Sequence, residues 1–396
     1  MTAPKPSPEP LGFSRLRWES LARNWSVPAF RGRQIFDAIH RRGARSASEI
    51  HEIPRELRDR LEREMPIGLL PGIVRRETAR DGSVKYGIRR EDGALVEAVY
   101  MPGDGGGAEV NEFADARAAI GDGTPSTGPS PARRGTHQPG RFTVCLSSQT
   151  GCAVDCAFCV TGRLGGGRNL TPGEILGQLY AVMDDAGLET SGLRVVFMGM
   201  GEPFLNPEGV LGAQDVLFEI LPARRVTVST SGITPVFAQF AERPVRPNLA
   251  VSLNAADEET RAALMPITRV YPLEGLLRAM GEWPLEPRRR ITVEYVLIAG
   301  RNDSPDQARR LARILRRIRA KVNVIPLNED PVYLPGWQRP DESTIDRFAA
   351  TLAAAGLPVT VRRSRGPDAS AACGQLKGRT EDPRKRVSKL KVSERP

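Results

Sequence analysis

The chain has 396 residues, a net charge of +10, five cysteines and three histidines. Its length allows a large core in two or three structural units, and no apolar run approaches the roughly 20 residues that cross a bilayer. Five cysteines in so long a chain do not suggest a disulfide framework, and the few histidines give little support to hydrolysis by a catalytic triad or to zinc catalysis. We therefore expect a cytoplasmic protein that does not enter a membrane.

The positive charge is concentrated at the two ends of the chain. Residues 1–75 carry 14 Lys and Arg against 9 Asp and Glu, and residues 377–396 carry 8 against 3, whereas the centre is neutral. Basic ends around a neutral centre indicate that the extremities grip a polyanion while the chemistry takes place between them. The alternative is that the basic ends serve only solubility.

The N-terminal part predicts three successive segments. Residues 1–19 are proline-rich at their start and are expected to form a flexible tail. Residues 20–72 predict a small helical accessory domain, because apolar residues recur at helical spacing. The arginines that crowd its polar faces suit it to hold a nucleic acid such as RNA. Residues 73–102 predict a β-hairpin or meander, with turn signals at Asp81-Gly82 and Asp92-Gly93.

The rest of the chain predicts an insertion, a core and a tail. Residues 103–140 are rich in Gly, Pro, Ser and Ala and are expected to be disordered. Residues 141–376 alternate short β-rich runs with helical patterns, which indicates parallel βαβ units and an α/β barrel or a large fraction of one. Thr171, Pro172 and Glu174 predict a capped helix start, and Ser343 predicts another. Residues 377–396 form the basic C-terminal tail.

The most specific motif follows the first core strand, where Cys152, Cys156 and Cys159 are spaced x3 then x2. Three thiolates on one short loop suit three irons of a four-iron four-sulfur cluster and leave the fourth iron open to a small ligand. The alternative is a structural zinc site with Cys145 as the fourth ligand.

This triplet resembles the signature of the radical S-adenosylmethionine superfamily. Longer segments resemble the RlmN and Cfr group of RNA adenine methyltransferases within it, and the RlmN branch above all. The match runs from about residue 20 to 378, apart from the insertion, through CLSSQTGCAVDCAFC, RNLTPGEILGQ, FMGMGEPFLN, VTVSTSGITP, LAVSLNA, VNVIPLN and ACGQL.

The resemblance implies a partial (β/α)6 barrel preceded by the helical domain and a short β extension. It also implies S-adenosylmethionine and a [4Fe-4S] cluster as cofactors. Cys373 corresponds to the cysteine that becomes S-methylated and carries the methyl carbon, and Cys145 to the thiol that resolves it through a disulfide with Cys373. Glu97 corresponds to the acceptor of the proton from the base.

The resemblance further implies a set of contacts to S-adenosylmethionine, among which it does not decide between Ser229 and Ser231. The set is Gly201, Glu202, Ser229, Ser231, Ser252, Leu253, Asn254 and Asn328. Two positions depart from the group's pattern: Asn254 replaces a usual His, and Gly166 replaces an aromatic residue.

The function that the resemblance implies is methylation of C2 of an adenine in 23S ribosomal RNA, in the peptidyl transferase region, with transfer RNA as a further substrate. We expect a monomer that receives electrons from a flavodoxin or a ferredoxin. Methylation at C8, as in the Cfr branch, is the nearest alternative, and a non-catalytic RNA-binding protein with a structural zinc is the alternative from another class.

Overall fold

A computed structural model describes residues 10–67, 70–90, 92–103, 141–362 and 374–376. The predicted insertion, apart from Gly103, and the basic C-terminal tail lie outside the described residues, and so does Cys373. In the described part of the chain, none of the helices is long and apolar enough to cross a membrane.

The N-terminal unit contains three helices, α1 (Arg15–Asn24), α2 (Phe30–Arg41) and α3 (Arg55–Glu64). The prediction of a flexible tail over residues 1–19 is wrong for residues 10–19. A 3-10 turn at Pro10–Gly12 precedes α1, and Phe13 and Trp18 are buried. These aromatic side chains explain the error, because burying them stabilises a segment that the early prolines alone would leave loose.

Buried and charged contacts join this helical unit to helix α5 (Pro172–Asp185) of the core. Nδ1 of His40 lies 2.6 Å from the hydroxyl of Tyr180, and both residues are buried. Nearby, the guanidinium of Arg45 binds both carboxylate oxygens of Asp184 at 3.1 Å. The helical unit is therefore packed directly on the core.

Three antiparallel strands form the β extension: β1 (Gly72–Thr78), β2 (Val84–Arg89) and β3 (Leu95–Pro102). Strand β3 then pairs antiparallel with β4 (Phe142–Cys145), so that Val99 lies opposite Cys145. The extension is therefore a meander that continues the sheet of the core.

From β4 onward the strands are parallel, and each lies beside the next in chain order. Helices cover the sheet, and among the described residues β1 and β10 are its edge strands. The strands and helices of this part are β5 (Leu193–Phe197), β6 (Val226–Thr230), β7 (Asn248–Ser252), β8 (Ile291–Leu297), β9 (Ala320–Pro326), β10 (Val359–Val361), α4 (Val160–Arg163), α6 (Pro207–Ile220), α7 (Phe237–Ala241), α8 (Glu258–Leu264), α9 (Leu273–Glu282), α10 (Pro305–Leu315) and α11 (Glu342–Ala354).

Strands β4 to β9 with their following helices make the six βα units that the sequence predicts, and the partial barrel is confirmed. Apolar side chains of these strands, among them Val195, Val228 and Val293, form the core between sheet and helices. In such parallel arrangements the carboxyl ends of the strands meet on one side, and loops there carry binding and catalytic residues.

Two helix starts in the core can be compared with the cap residues predicted for them. Thr171 and Glu174 form the predicted capping box at the start of α5. The assignment of Ser343 as the cap of α11 is wrong, because the carboxylate of Asp341 accepts the hydrogen bond from the Thr344 amide and the helix begins at Glu342. Both residue types are good caps, and the structure uses the one that comes first in the chain.

Candidate active site

The loop after β4 carries the cysteine triplet and is fixed by backbone hydrogen bonds. The amide of Cys152 donates to the carbonyl of Gly165 at 3.0 Å, and the amide of Cys159 donates to the carbonyl of Cys156 at 3.0 Å. Ala157 donates to the carbonyl of Leu264 at the end of α8. These hydrogen bonds attach the cysteine loop to the segment after α4 and to the end of α8.

The electrostatics of the triplet favour a cationic partner. Burial and the neighbouring Cys159 raise the pKa of the Cys152 thiol to about 12, and burial also raises the pKa of Cys156 and Cys159. Burial penalises a thiolate that has no positive charge beside it, whereas iron ions stabilise thiolates. The donor set therefore fits an iron-sulfur cluster.

Within the described ranges, no three His, Cys, Asp or Glu side chains converge closely enough to hold a single metal ion. A cubane cluster does not require such convergence, since each cysteine binds a different iron at a different corner. Wider spacing of the three thiols is compatible with a cluster.

A cavity of about 170 Å³ opens beside these thiols at the carboxyl ends of β5 to β9. All three cysteines of the triplet border it. So do Gly374 and most of the residues that the sequence implied for binding S-adenosylmethionine, namely Gly201, Glu202, Ser229, Ser231, Ser252, Asn254 and Asn328. Leu253 does not border the cavity; its side chain is buried in the main core, so only its backbone faces the neighbouring strand ends.

The turn after β5 brings the chain very close to the cluster loop. Gly201 has φ +97°, and a Cβ atom there would lie 2.6 Å from Cβ of Gln149. The Gln149 side-chain oxygen also accepts a hydrogen bond from the Glu202 amide at 2.8 Å. Only glycine combines this backbone conformation with this close approach, which explains the residue at position 201.

Glu202 is buried and is oriented by three donors. One of its carboxylate oxygens accepts from the amide of Phe204 at 2.9 Å, and the other accepts from both the amide and the hydroxyl of Ser231 at 2.7 Å. Burial raises the pKa of this carboxyl. A fixed, desolvated carboxylate at the cavity wall is suited to bind an ammonium group, because the interaction is stronger away from water.

Asn254 takes a backbone conformation that explains the residue found there. Its φ is +59°, in the left-handed region that asparagine adopts more readily than most residues. Its side-chain oxygen accepts from the Val296 amide at 2.8 Å, and its side-chain nitrogen donates to the sulfur of Met265 at 3.1 Å. Asparagine here connects β7 to β8 and to the segment after α8.

Glu97 and Cys145 lie on the two strands that link the meander to the barrel. The Glu97 carboxylate is fully buried and lies 2.6 Å from the guanidinium of Arg75 on β1. Neither Glu97 nor Cys145 is among the residues that border the cavity. Cys145 is buried in a small apolar cluster with Met200 and Leu376.

The segment that follows Cys373 contacts both the cluster loop and the surroundings of Cys145. The Gly374 carbonyl accepts a hydrogen bond from the Val160 amide at 2.7 Å, and the Leu376 carbonyl accepts one from the Thr161 hydroxyl at 2.7 Å. The disulfide predicted between Cys145 and Cys373 falls on a residue outside the described part and stays a prediction.

Two buried charged residues beside the site were missed by the sequence interpretation. Arg261 on α8 donates to the carbonyls of Ser231, Leu253 and Ser252 and to the hydroxyl of Thr268. Burial lowers the pKa of Arg261 to about 10.

The second missed residue is Glu294 on β8, which borders the cavity. A signal for it existed in the sequence, because a charged residue inside the apolar run ITVEYVL is exceptional for a buried parallel strand. Arg261 gave no comparable signal, since an arginine on a short polar helix is usually exposed.

Comparisons with known proteins agree with this site. Residues 146–312 match the model of the Radical SAM superfamily. A relative from Koribacter versatilis, "Probable dual-specificity RNA methyltransferase RlmN", is 43% identical over 89% of this chain and 97% of its own length. A dual-specificity RNA methyltransferase RlmN from Anaeromyxobacter dehalogenans is 40% identical over 96% of this chain and 95% of its own.

Among solved structures, a radical SAM methyltransferase from Sphaerobacter thermophilus is 37% identical. It superposes with a TM-score of 0.77 and covers 93% of this chain and 99% of its own. Sequence and fold are therefore shared across the helical unit, the meander and the barrel.

Proposed function

Because this chain belongs to the RlmN family of radical SAM RNA methyltransferases, we propose that it methylates C2 of an adenine in 23S ribosomal RNA, with transfer RNA as a second substrate. One observation carries the proposal: a single cavity is bordered by the three loop cysteines, by Gly201 and Glu202, and by Gly374, the residue after Cys373. These are the groups that cofactor binding and methyl transfer require.

Cys152, Cys156 and Cys159 would hold the [4Fe-4S] cluster. When bound, the cluster supplies an electron that splits S-adenosylmethionine into methionine and a 5′-deoxyadenosyl radical. Glu202 would hold the ammonium group of S-adenosylmethionine, since its carboxylate is fixed by Ser231 and Phe204 at the cavity wall. Ser229, Ser252, Asn254 and Asn328 would line the remainder of the cofactor.

Three residues would carry the methyl transfer itself. Cys373 would receive the methyl group of one S-adenosylmethionine on its sulfur and present that carbon to the base. Such a carrier is needed because C2 of adenine is electron-poor and does not attack a methyl donor directly. That methyl group would give a hydrogen atom to the 5′-deoxyadenosyl radical from a second S-adenosylmethionine, and the resulting carbon radical would form the bond to C2. Glu97 would then remove the C2 proton. The Cys145 thiol would attack the sulfur of Cys373, which breaks the bond between that sulfur and the transferred carbon, releases the methylated RNA, leaves a disulfide and returns one electron.

The Glu97 carboxylate is fully buried and is paired with Arg75, which offsets the cost of burying it, since an unpaired carboxylate there would be costly. In the proposed complex the target adenine would be extruded from the RNA into the barrel. Enzymes that act on ring atoms of a base take it out of the stack in this way.

The helical unit would bind the RNA. Arginines lie exposed on its surface, among them Arg23, Arg33, Arg42, Arg55 and Arg63. Exposed guanidinium groups bind phosphates and make the affinity depend on salt. We propose that the basic segment 377–396 adds to this interaction, that the protein acts as a cytoplasmic monomer and that a flavodoxin or ferredoxin reduces it.

The proposal is tested by digestion and mass spectrometry of ribosomal and transfer RNA from cells with and without this protein. We expect 2-methyladenosine to disappear from 23S ribosomal RNA when the protein is absent. Loss of 8-methyladenosine instead would assign the chain the C8 reaction. Unchanged methylation together with zinc and no iron in the anaerobically purified protein would favour the zinc-containing RNA-binding protein.

A further inference from the structure

One carboxylate oxygen of Glu294 has no hydrogen-bond partner among the described residues. The side chain lies on β8 and is only 7% exposed. Its Oε1 accepts a hydrogen bond from the Asn323 side chain at 3.1 Å, and Nη1 of Arg362 lies 4.0 Å from the same atom. Its Oε2 is buried and has no hydrogen-bond partner among the described residues. Leaving a buried acceptor unsatisfied is costly, so a missing donor is indicated.

This residue borders the cavity at a distance from the ammonium-binding carboxylate. Glu202 follows β5, whereas Glu294 lies on β8 beside Ser252 of β7, its partner in the strand register. Neighbouring strands are about 4.8 Å apart, so three strand spacings, roughly 14 Å along the sheet, separate the strands that carry the two residues. The two carboxylates therefore belong to different parts of the cavity wall.

The chemistry of the cavity changes between these two carboxylates. In the order of the strands, Glu202 follows β5, and the polar residues Ser252 and Glu294 lie on β7 and β8. The apolar side chains of Val296, Ile325 and Leu327 lie on β8, on β9 and just after β9. An elongated ligand with a charged head, a polar middle and a flat apolar end fits this order.

We propose that Glu294 is a cofactor-binding residue, whose Oε2 accepts a hydrogen bond from a ribose hydroxyl of S-adenosylmethionine. The inference rests on the proposed use of this cofactor. With the ammonium group at Glu202 and the adenine ring against the apolar wall, the ribose lies between them, and its hydroxyls are O–H donors. A carboxylate is a strong acceptor for such donors. Asn323 holds Oε1 and thereby directs Oε2.

The test compares Glu294→Gln with the wild-type chain in direct binding to S-adenosylmethionine and to its 2′-deoxy and 3′-deoxy analogues. Equilibrium dialysis is done on the anaerobically reconstituted full chain without reductant, so that no cofactor is cleaved. The wild type should bind one of the two analogues roughly tenfold to hundredfold more weakly than S-adenosylmethionine. Glu294→Gln should bind S-adenosylmethionine more weakly and lose most of this discrimination, since the charged acceptor is gone.

The matched control is Glu282→Gln, the same exchange at an exposed residue of α9 away from the cavity. It should keep both the affinity and the discrimination. A further variant, Glu294→Leu, removes both carboxylate oxygens and should discriminate least between S-adenosylmethionine and its deoxy analogues. Iron content and thermal unfolding are measured for the wild type and all the variants.

Three results would overturn the inference. If Glu294→Gln binds and discriminates like the wild type, or if the wild type binds both analogues as tightly as S-adenosylmethionine, the ribose contact is wrong and the proposed function is untouched. If the reconstituted wild-type chain binds no S-adenosylmethionine, both the inference and the proposed function fail.

Discussion

Glu97 on β3 and Glu294 on β8 are both buried in the same sheet, yet their carboxylates have different partners. In the meander, Arg75 contacts Glu97 and also Glu77, and Lys85 lies 2.8 Å from Glu77, so the charges form a chain of alternating sign. At the cavity, one oxygen of Glu294 has no hydrogen-bond partner among the described residues.

The difference separates two ways of keeping charge inside a protein. The meander balances its own charges and is therefore complete without a ligand. The cavity is bordered by three thiols with raised pKa and by a carboxylate oxygen that no described residue satisfies, and these groups become favourable when cations and hydrogen-bond donors bind. Removing groups from the two regions should accordingly have different effects.

The largest expected effect is at the cavity. Cys156→Ala should abolish cluster binding and all RNA methylation, because two remaining thiolates cannot hold the cubane in the proposed way. Iron and sulfide assays after anaerobic reconstitution measure this. Cys145→Ala is the control: it should keep the cluster and lose turnover. Loss of iron from Cys145→Ala with retention in Cys156→Ala would reverse our assignment of the two thiols.

Removing the Glu97 carboxylate of the meander should slow RNA methylation without affecting cluster binding. Glu97→Gln should lower the rate of RNA methylation by roughly 10²- to 10⁴-fold, the usual contribution of a general base, and leave iron content unchanged. Single-turnover assays with an RNA substrate measure the rate. Glu77→Gln breaks the same chain of charges without removing the proposed base. Equal losses in both variants would mean that the charge network matters and Glu97 has no separate role.

Behind the cavity, Arg261 should matter for stability. Arg261→Met removes the donor to three backbone carbonyls at the ends of β6 and β7, and should lower the free energy of unfolding by about 3 kcal/mol. Urea unfolding measures the change. Arg278→Met, at an exposed position on α9, should change stability little. An unchanged unfolding midpoint for Arg261→Met would show that these strand ends need no such donor.

Near neutral pH, the smallest expected effect is at the contact between the helical unit and the barrel, where the effect grows only as the pH falls. Burial and the charge of Arg45 lower the pKa of His40 to about 3, so the folded state stays neutral where the unfolded state binds a proton, between pH 6.5 and 3. The free energy of unfolding should therefore fall as the pH falls through this window, by at most about 1.4 kcal/mol per unit. Melting temperatures between pH 4 and 7 should vary less steeply for His40→Gln than for the wild type and the control His51→Gln. Equal slopes in all three would contradict this.

The order of the strands and helices, and hence the barrel, could be predicted because the spacing of apolar residues and the helix caps depend on residues close together in the chain. Thr171 and Glu174 specify the start of α5 without any knowledge of the fold. The tail boundary failed because the turn at Pro10–Gly12 packs against Pro172 and Gly173 at the start of α5, which lie far away along the chain. The cysteine triplet could be recognised in the sequence because its three cysteines lie within one short loop.

The rest of the site depends on contacts between distant segments. Arg261 donates to backbone carbonyls at strand ends that lie 8 to 30 residues away in the chain. Glu294 becomes recognisable as a residue of the site only in the folded sheet, where β8 places it beside Ser252. The left-handed backbone conformation of Asn254 could likewise not be predicted from a sequence motif, although it explains why asparagine is accommodated at that position.

The central claim is that this cavity performs radical chemistry on RNA. The most direct measurement incubates the reconstituted chain with S-adenosylmethionine, a reductant and 23S ribosomal RNA, and quantifies 5′-deoxyadenosine and 2-methyladenosine together by mass spectrometry. We predict that both products form with the wild type and neither with Cys156→Ala. Formation of 2-methyladenosine without 5′-deoxyadenosine, or by Cys156→Ala, would contradict the account.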